Sequence, residues 1–168
     1  MSGDSAHVGG AIASLTMRRL IASWFGSGLI LERVRGDAIG SGTVASAVTM
    51  VLWWALTPFS WWIQAMVAAL MIALSVWSAR PFAAGTADPS WVVVDEAAGT
   101  MVATIGLSGW PVVVAWCVFR LADILKNVFP GVAAADRMRG SVGVTLDDVV
   151  AGVYGLAAGW IAHGLLPG

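Results

Sequence analysis

Three stretches of this chain carry no charged side chain: Ala38 to Ala79, Ala97 to Phe119, and Val149 to the C-terminus. Each is long enough for a helix that crosses or enters a bilayer, which takes about 20 mostly apolar residues. Ahead of them, Leu15 to Leu31 mixes apolar residues with Arg18-Arg19, the pattern of a helix lying on a membrane surface. A Gly-rich turn follows over Gly36–Thr43. A first apolar helix is predicted from Val44 to Thr57, where Pro58 ends or kinks it. A second runs from Trp61 to Ser78 and is closed by Arg80-Pro81. After a loop, Asp88-Pro89 reads as a helix start, Asp as N-cap and Pro in the first position. That third helix reaches Gly106, a fourth spans Pro111 to Lys126, Phe129 to Gly143 is a polar loop, and a fifth runs from Thr145 to near Leu166. The expected fold is all-α: a small multi-helix membrane-embedded bundle of about five apolar helices plus an N-terminal interfacial helix. It forms one domain over 1–168, with 1–12 as a flexible tail.

Composition sharpens the class. Hydrophobic residues make up 58% of the 168 and charged residues 11%, roughly half the charged share of a soluble protein. The rival is a soluble helical bundle with a large buried core. A net charge of −1 leaves no basic stripe for nucleic acid. The lone Cys117 lies in an apolar run and reads as packing. The basic residues Arg18, Arg19, Arg33, Arg35, Arg80, Arg137 and Arg139 fall in alternate connections, while the turns at Pro58 and Trp110 hold no charge. Basic loops favour the cytoplasm, so the charged end is expected there, in a bacterial inner membrane. Trp53, Trp54, Trp61 and Trp62 flank the first uncharged turn as an interfacial belt would.

The remaining charges carry the chemistry. Asp95 and Glu96 lie early in the third helix, Arg120, Asp123 and Lys126 late in the fourth, and Asp147 and Asp148 at the start of the fifth. All fall at one expected depth, just inside the membrane, where ionisable groups pair with each other or line a polar cavity. Arg120, Asp123 and Lys126 recur every three residues and so share a helix face. Asp95-Glu96 and Asp147-Asp148 are adjacent pairs, of which one member each is expected to face a common centre. Several oxygen ligands without a His or Cys cluster suit Mg²⁺. The Arg fork and the Lys point charge suit a phosphate. Gly40-Ser41-Gly42-Thr43 opens the first helix on the same side, where backbone N–H groups cradle anions. Each feature also has a bland reading. Asp88 serves as a cap, Asp148 as the partner of Thr145 in a capping box, Arg120–Asp123 as a structural ion pair, and Ala151, Gly155 and Gly159 as a packing stripe. His7 falls in the tail and His163 near the far end of the last helix.

Four motifs in order resemble the phosphatidylglycerophosphatase A family: Gly40-Ser-Gly-Thr-Val-Ala-Ser46, Asp88-Pro-Ser-Trp-Val-Val-Val-Asp-Glu-Ala-Ala-Gly99, Phe119-Arg-Leu-Ala-Asp-Ile-Leu-Lys126 and Leu146-Asp-Asp-Val-Val-Ala-Gly152. The resemblance covers roughly residues 22 to 160. Ser41 and Ala45 replace a Pro and a Gly of the family's first motif, and Asn127 follows Lys126 where the family has Pro. What the resemblance implies is Mg²⁺-dependent hydrolysis of phosphatidylglycerophosphate to phosphatidylglycerol and phosphate. Asp95, Glu96, Asp123, Asp147 and Asp148 would be catalytic and metal-holding, Arg120, Lys126, Ser41, Gly42 and Thr43 would bind phosphate, and Asp88 is a further candidate for the site. Either water or one of the carboxylates would be the nucleophile. Two alternatives stand beside it: a small ion or proton transporter using intramembrane carboxylates, and a non-catalytic membrane scaffold related to the phosphatase. An alcohol-phosphotransferase synthase is disfavoured because its Asp-Gly-x-x-Ala-Arg run is absent. The packing glycines are compatible with a homo-oligomer.

Overall fold

The computed structural model describes residues 3–35, 40–83 and 89–165. Among these the chain is helical with short connections and no strand: α1 (Gly3–Ala22), α2 (Ser27–Arg35), α3 (Ser41–Leu56), α4 (Trp61–Ala79), α5 (Val94–Ala103), α6 (Trp110–Ile124), α7 (Val132–Asp136) and α8 (Gly140–Leu165). Asp88 and residues 36–39 of the Gly-rich turn lie outside the described residues.

α8 is the axis of the bundle, packed against α4, α5, α6 and α7. Its inward face is built of small residues: Gly143, Ala151, Gly152, Gly155 and Gly159 are buried. A Cβ on Gly152 would stand 2.6 Å from the Gly99 carbonyl oxygen of α5, and one on Gly155 would stand 2.5 Å from the Ala115 carbonyl oxygen of α6. Backbones meet at these positions, so the Ala151/Gly155/Gly159 stripe is a packing seam.

The outer faces reverse the usual order. α4 buries Gln64, Ser75 and Ser78 and exposes Trp62, Met66, Leu70 and Trp77. α3 buries Ser41, Ser46 and Thr49 while Val51 and Trp54 point outward. Small and polar residues inside with large apolar ones outside is the pattern of helices that pack in lipid. Among the described residues two helices, α4 and α8, are long and apolar enough to cross a membrane; α3 is a shorter apolar helix. Of the about five apolar helices expected, α5 and α6 have 10 and 15 residues and fall short of the length of a full crossing.

Several boundaries differ from expectation, each for a local reason. α1 is already helical at Gly3, inside the stretch expected as a tail. The single interfacial helix is instead split at residues 23–26, where Trp24 and Phe25 take φ of 48° and 56°. This costly left-handed turn is tied down by the Val93 N–H, which donates to the Ala22 carbonyl oxygen at 2.9 Å. The third helix starts at Val94 rather than Pro89. The segment before it is used as a strap, with the Ser90 carbonyl oxygen accepting the Ser41 hydroxyl and Val93 bonded to Ala22. The late start places Asp95 and Glu96 in the first helical turn, where the macrodipole favours negative charge. Finally, α7 occupies part of the expected polar loop and α8 begins at Gly140. Thr145 is therefore inside α8, its hydroxyl bonded to the Ser141 carbonyl oxygen and to Ser75 Oγ. The capping-box reading of Thr145 with Asp148 is overturned.

At one end of the bundle both uncharged turns come together through Gln64. Its amide donates to the Leu56 and Phe59 carbonyl oxygens and accepts the Gly106 N–H at 2.7 Å. The opposite end gathers the start of α5, the end of α6 and the first turns of α8, and there the charges meet.

Candidate active site

The carboxylates divide into two sets. Asp95, Glu96 and Asp148 each offer an oxygen atom, and these oxygens lie within 4.8 Å of one another. Both members of the Asp95-Glu96 pair thus face one centre, although adjacent residues were expected to diverge. The first turn of a helix allows this because Asp95 also accepts the Glu96 N–H at 3.1 Å and folds back over the helix end. Glu96 Oε2 and Asp148 Oδ1 are buried and have no hydrogen-bond partner among the described residues. A buried carboxylate oxygen without a partner is costly, and an all-oxygen set of this kind fits a hard divalent cation. Burial pushes the Glu96 carboxyl above the ordinary carboxylate range; the Asp95 hydrogen bond opposes this, and Asp123 adds to it.

Asp123 and Asp147 stand outside that group and are held by cations. Arg120 Nη1 lies 2.8 Å from Asp123 Oδ2. The approach is close enough for an ion pair but off the hydrogen-bonding direction, so both Nε and Nη1 of this buried guanidinium retain donor capacity. Lys126 Nζ sits between Asp136 Oδ1 and Asp147 Oδ2, 2.5 Å from each. Burial of the ammonium works against its charge, but the hydrogen bonds to Asp136 and Asp147 prevail and raise its pKa above the lysine value. The second Asp147 oxygen accepts the Asp148 N–H at 3.0 Å. The Asp147-Asp148 pair therefore splits as expected, Asp148 to the carboxylate centre and Asp147 to the lysine.

The opening of α3 is placed against these groups from behind. Gly40 takes φ 86°. Ser41 is buried, with its hydroxyl engaged by Ser90. Gly42 packs against the Glu96 carboxyl so closely that a Cβ would overlap Oε1. Thr43 Oγ1 accepts Arg120 Nη2 at 3.4 Å. These residues position Glu96 and Arg120 and do not line the open cleft.

That cleft has a volume of about 400 Å³; Asp95, Glu96, Asp123, Lys126, Asp147 and Asp148 line it. Asp136, Arg137 and Arg139 line it as well. Sequence reasoning assigned these three no site role. The signal was the charged run Asp136-Arg137-Met138-Arg139 immediately before the Asp-Asp helix, which reads as a solvated loop until α7 folds it over Lys126.

Residues 20–163 match the family described as Phosphatidylglycerophosphatase A. The chain belongs to the phosphatidylglycerophosphatase A family. It is 33% identical over 146 residues to a putative phosphatidylinositol-3-phosphatase of Bacteroides thetaiotaomicron, covering 80% of this chain and 86% of that protein. It is 31% identical over 140 residues to phosphatidylglycerophosphatase A of Escherichia coli, covering 80% of this chain and 76% of the relative. No solved structure gives a significant match. A lipid phosphatase of the phosphatidylglycerophosphatase type is what the family membership supports.

Proposed function

We propose that this family member is a Mg²⁺-dependent membrane phosphatase that hydrolyses phosphatidylglycerophosphate to phosphatidylglycerol and phosphate in bacterial phospholipid synthesis. Its cleft would open to the cytoplasmic face of the inner membrane. The observation that carries this reading is the pair of buried oxygens without a partner among the described residues, Glu96 Oε2 and Asp148 Oδ1, beside Asp95 in a cleft that also holds Lys126. Asp95, Glu96 and Asp148 would hold the metal. When bound, Mg²⁺ supplies charge neutralisation at the phosphoryl oxygens.

The chain's own groups do the rest. Arg120, held by Asp123 and Thr43, stands behind Asp123 and is not among the residues that line the cleft; its positive charge would act on the phosphate from behind that wall, and such charge gains strength as charge develops in transfer. Lys126 keeps its proton and acts as a point charge, held between Asp136 and Asp147 until an anion competes for it. Water attacks phosphorus, the P–O bond to the glycerol oxygen breaks with its electron pair, and the alcohol leaves protonated. Asp147, at the cleft wall and hydrogen-bonded to Lys126, is placed to relay the proton of that water.

The outward apolar faces of α3 and α4 and the two long apolar helices support membrane embedding. Arg18, Arg80, Arg137 and Arg139 flank the cleft side in sequence, which supports a cytoplasmic opening. A transporter would need its charges near the middle of the bundle, and here they gather at one end. A second substrate reading, a phosphoinositide monoester, is favoured by the name of the Bacteroides relative. Both lipids are phosphodiesters of diacylglycerol that bear a terminal phosphomonoester.

The test is phosphate release by the purified protein in detergent, with Mg²⁺ or with excess chelator, on both lipids, beside Asp148→Asn. Mg²⁺-dependent release that the substitution lowers by roughly 10²-fold or more is the expected result. Release unaffected by chelator, or no release from folded protein, would remove the proposal.

A further inference from the structure

Besides the groups that face the reacting phosphate, the cleft has a second charged feature at its mouth. Asp136 ends α7, Arg137 and Arg139 follow in the short connection to α8, and all three line the cavity. The segment is pinned rather than loose. The Met138 N–H bonds the Ala135 carbonyl oxygen at 2.9 Å. Gly143 of α8 lies so close beneath the Met138 carbonyl that no Cβ would fit. α7 itself is anchored through buried Val132 and Ala135, and the Tyr154 hydroxyl donates to the Pro130 carbonyl oxygen at 2.9 Å. Asp136 is taken by Lys126. Arg137 and Arg139 are exposed and make no ion pair with the described residues. A fixed backbone thus presents two guanidinium groups, without an ion-pair partner among the described residues, to a cleft whose floor is rich in carboxylates.

A cavity of about 400 Å³ falls in the range that holds a whole small ligand rather than one phosphate. We propose that Arg137 and Arg139 form an anion subsite at the cleft mouth, binding the phosphodiester that links the head group to diacylglycerol. The terminal phosphomonoester then reaches Lys126 and the carboxylate centre. This rests on the lipid-phosphatase reading above. It separates two roles. Arg120 and Lys126 act on the phosphate that is transferred, and Arg137 and Arg139 act on the phosphate that stays with the lipid. The rim arginines therefore set substrate choice through binding and leave the chemical step alone.

The experiment uses short-chain, water-soluble substrates below their micelle-forming concentration, so that no membrane surface takes part. Phosphatidylglycerophosphate carries both the monoester and the diester; phosphatidic acid carries the monoester alone. Arg137→Gln, Arg139→Gln and the double substitution are compared with the parent, and melting in detergent confirms folding. The double substitution is expected to raise KM for phosphatidylglycerophosphate by about tenfold per arginine, the scale of a lost charge-assisted contact, with kcat held. Its KM or inhibition constant for phosphatidic acid should not change. Arg→Lys at either position should recover part of the loss, since charge is kept and the fork is not. An equal loss on both substrates would overturn the subsite, as would no loss on either. A loss seen only on anionic vesicles would make the two arginines membrane contacts and would also overturn it. If the parent hydrolyses neither substrate, the phosphatase reading fails first and this inference with it.

Discussion

Gly42 shows how much of the site hangs on one missing methyl group. Its position on α3 brings that helix onto the Glu96 carboxyl, and the group a Cβ would strike is the far end of a side chain, not backbone. Gly42→Ala should therefore fold with nearly unchanged stability, because Glu96 can swing away and alanine suits a helix. The displaced carboxylate would leave Asp95 and Asp148 with a weakened third partner. Activity is expected to fall by roughly 10²-fold, as for a misplaced catalytic group, with more Mg²⁺ needed for half-maximal rate. Parent-like Mg²⁺ dependence and rate in a folded Gly42→Ala protein would show that Glu96 does not serve the metal. At this scale the sequence was readable for residue types and less so for roles. The charged set Asp95, Glu96, Arg120, Asp123, Lys126, Asp147 and Asp148 is evident from its rarity in an apolar chain. Which carboxylate faces which cation is decided by side-chain direction, which spacing alone leaves open for adjacent residues.

Among the elements, α8 decides the geometry. It crosses α5 at Gly99 and Gly152 and α6 at Gly155, with backbone in the space a side chain would take. The same helix carries Asp147 and Asp148 to the site, so its distance from α5 and α6 fixes the spacing of the carboxylates. Gly155→Val puts branched bulk against the Ala115 carbonyl and Phe119 and is expected to destabilise by about 1–3 kcal/mol, the usual cost of overpacking. Unfolding in a mild detergent–denaturant series would measure this; an unchanged midpoint would mean that the seam opens freely. The apolar helices were located from charged connections on one side and from Pro58 and the Gly106–Pro111 turn on the other. Such local signals failed where tertiary contacts override them. Pro89 reads as a helix start, yet the residues around it are drawn into bonds with Ser41 and Ala22. Thr145 reads as a cap, yet Ser141 and Ser75 take its hydroxyl. α7, at 5 residues, is too short to leave a periodic trace.

For the whole molecule, a core that includes Phe119, Val93, Val94 and Val112 is joined by many buried small and polar residues, while large apolar side chains such as Trp54, Trp62, Met66 and Leu70 lie on the outside. An outer surface of this kind suits lipid contact. The protein is expected to sediment with membranes, to resist alkaline carbonate and high salt, and to be released by detergent. Release by carbonate alone would show a peripheral protein and would withdraw the embedded orientation. The sequence by itself determined the class, the helical make-up, the inventory of charged groups and, through four ordered motifs, the family. These follow from composition, from local periodicity and from residue order, all of which are properties of the linear chain. Only the tertiary structure decided that Asp95, Glu96 and Asp148 share a centre while Asp123 and Asp147 answer to cations. It alone brought Asp136, Arg137 and Arg139 to the cleft and placed Gly42 behind Glu96. The reason is physical: such groupings depend on how closely α3, α5, α6 and α8 approach and on the direction of each side chain, and both are set by packing between distant segments.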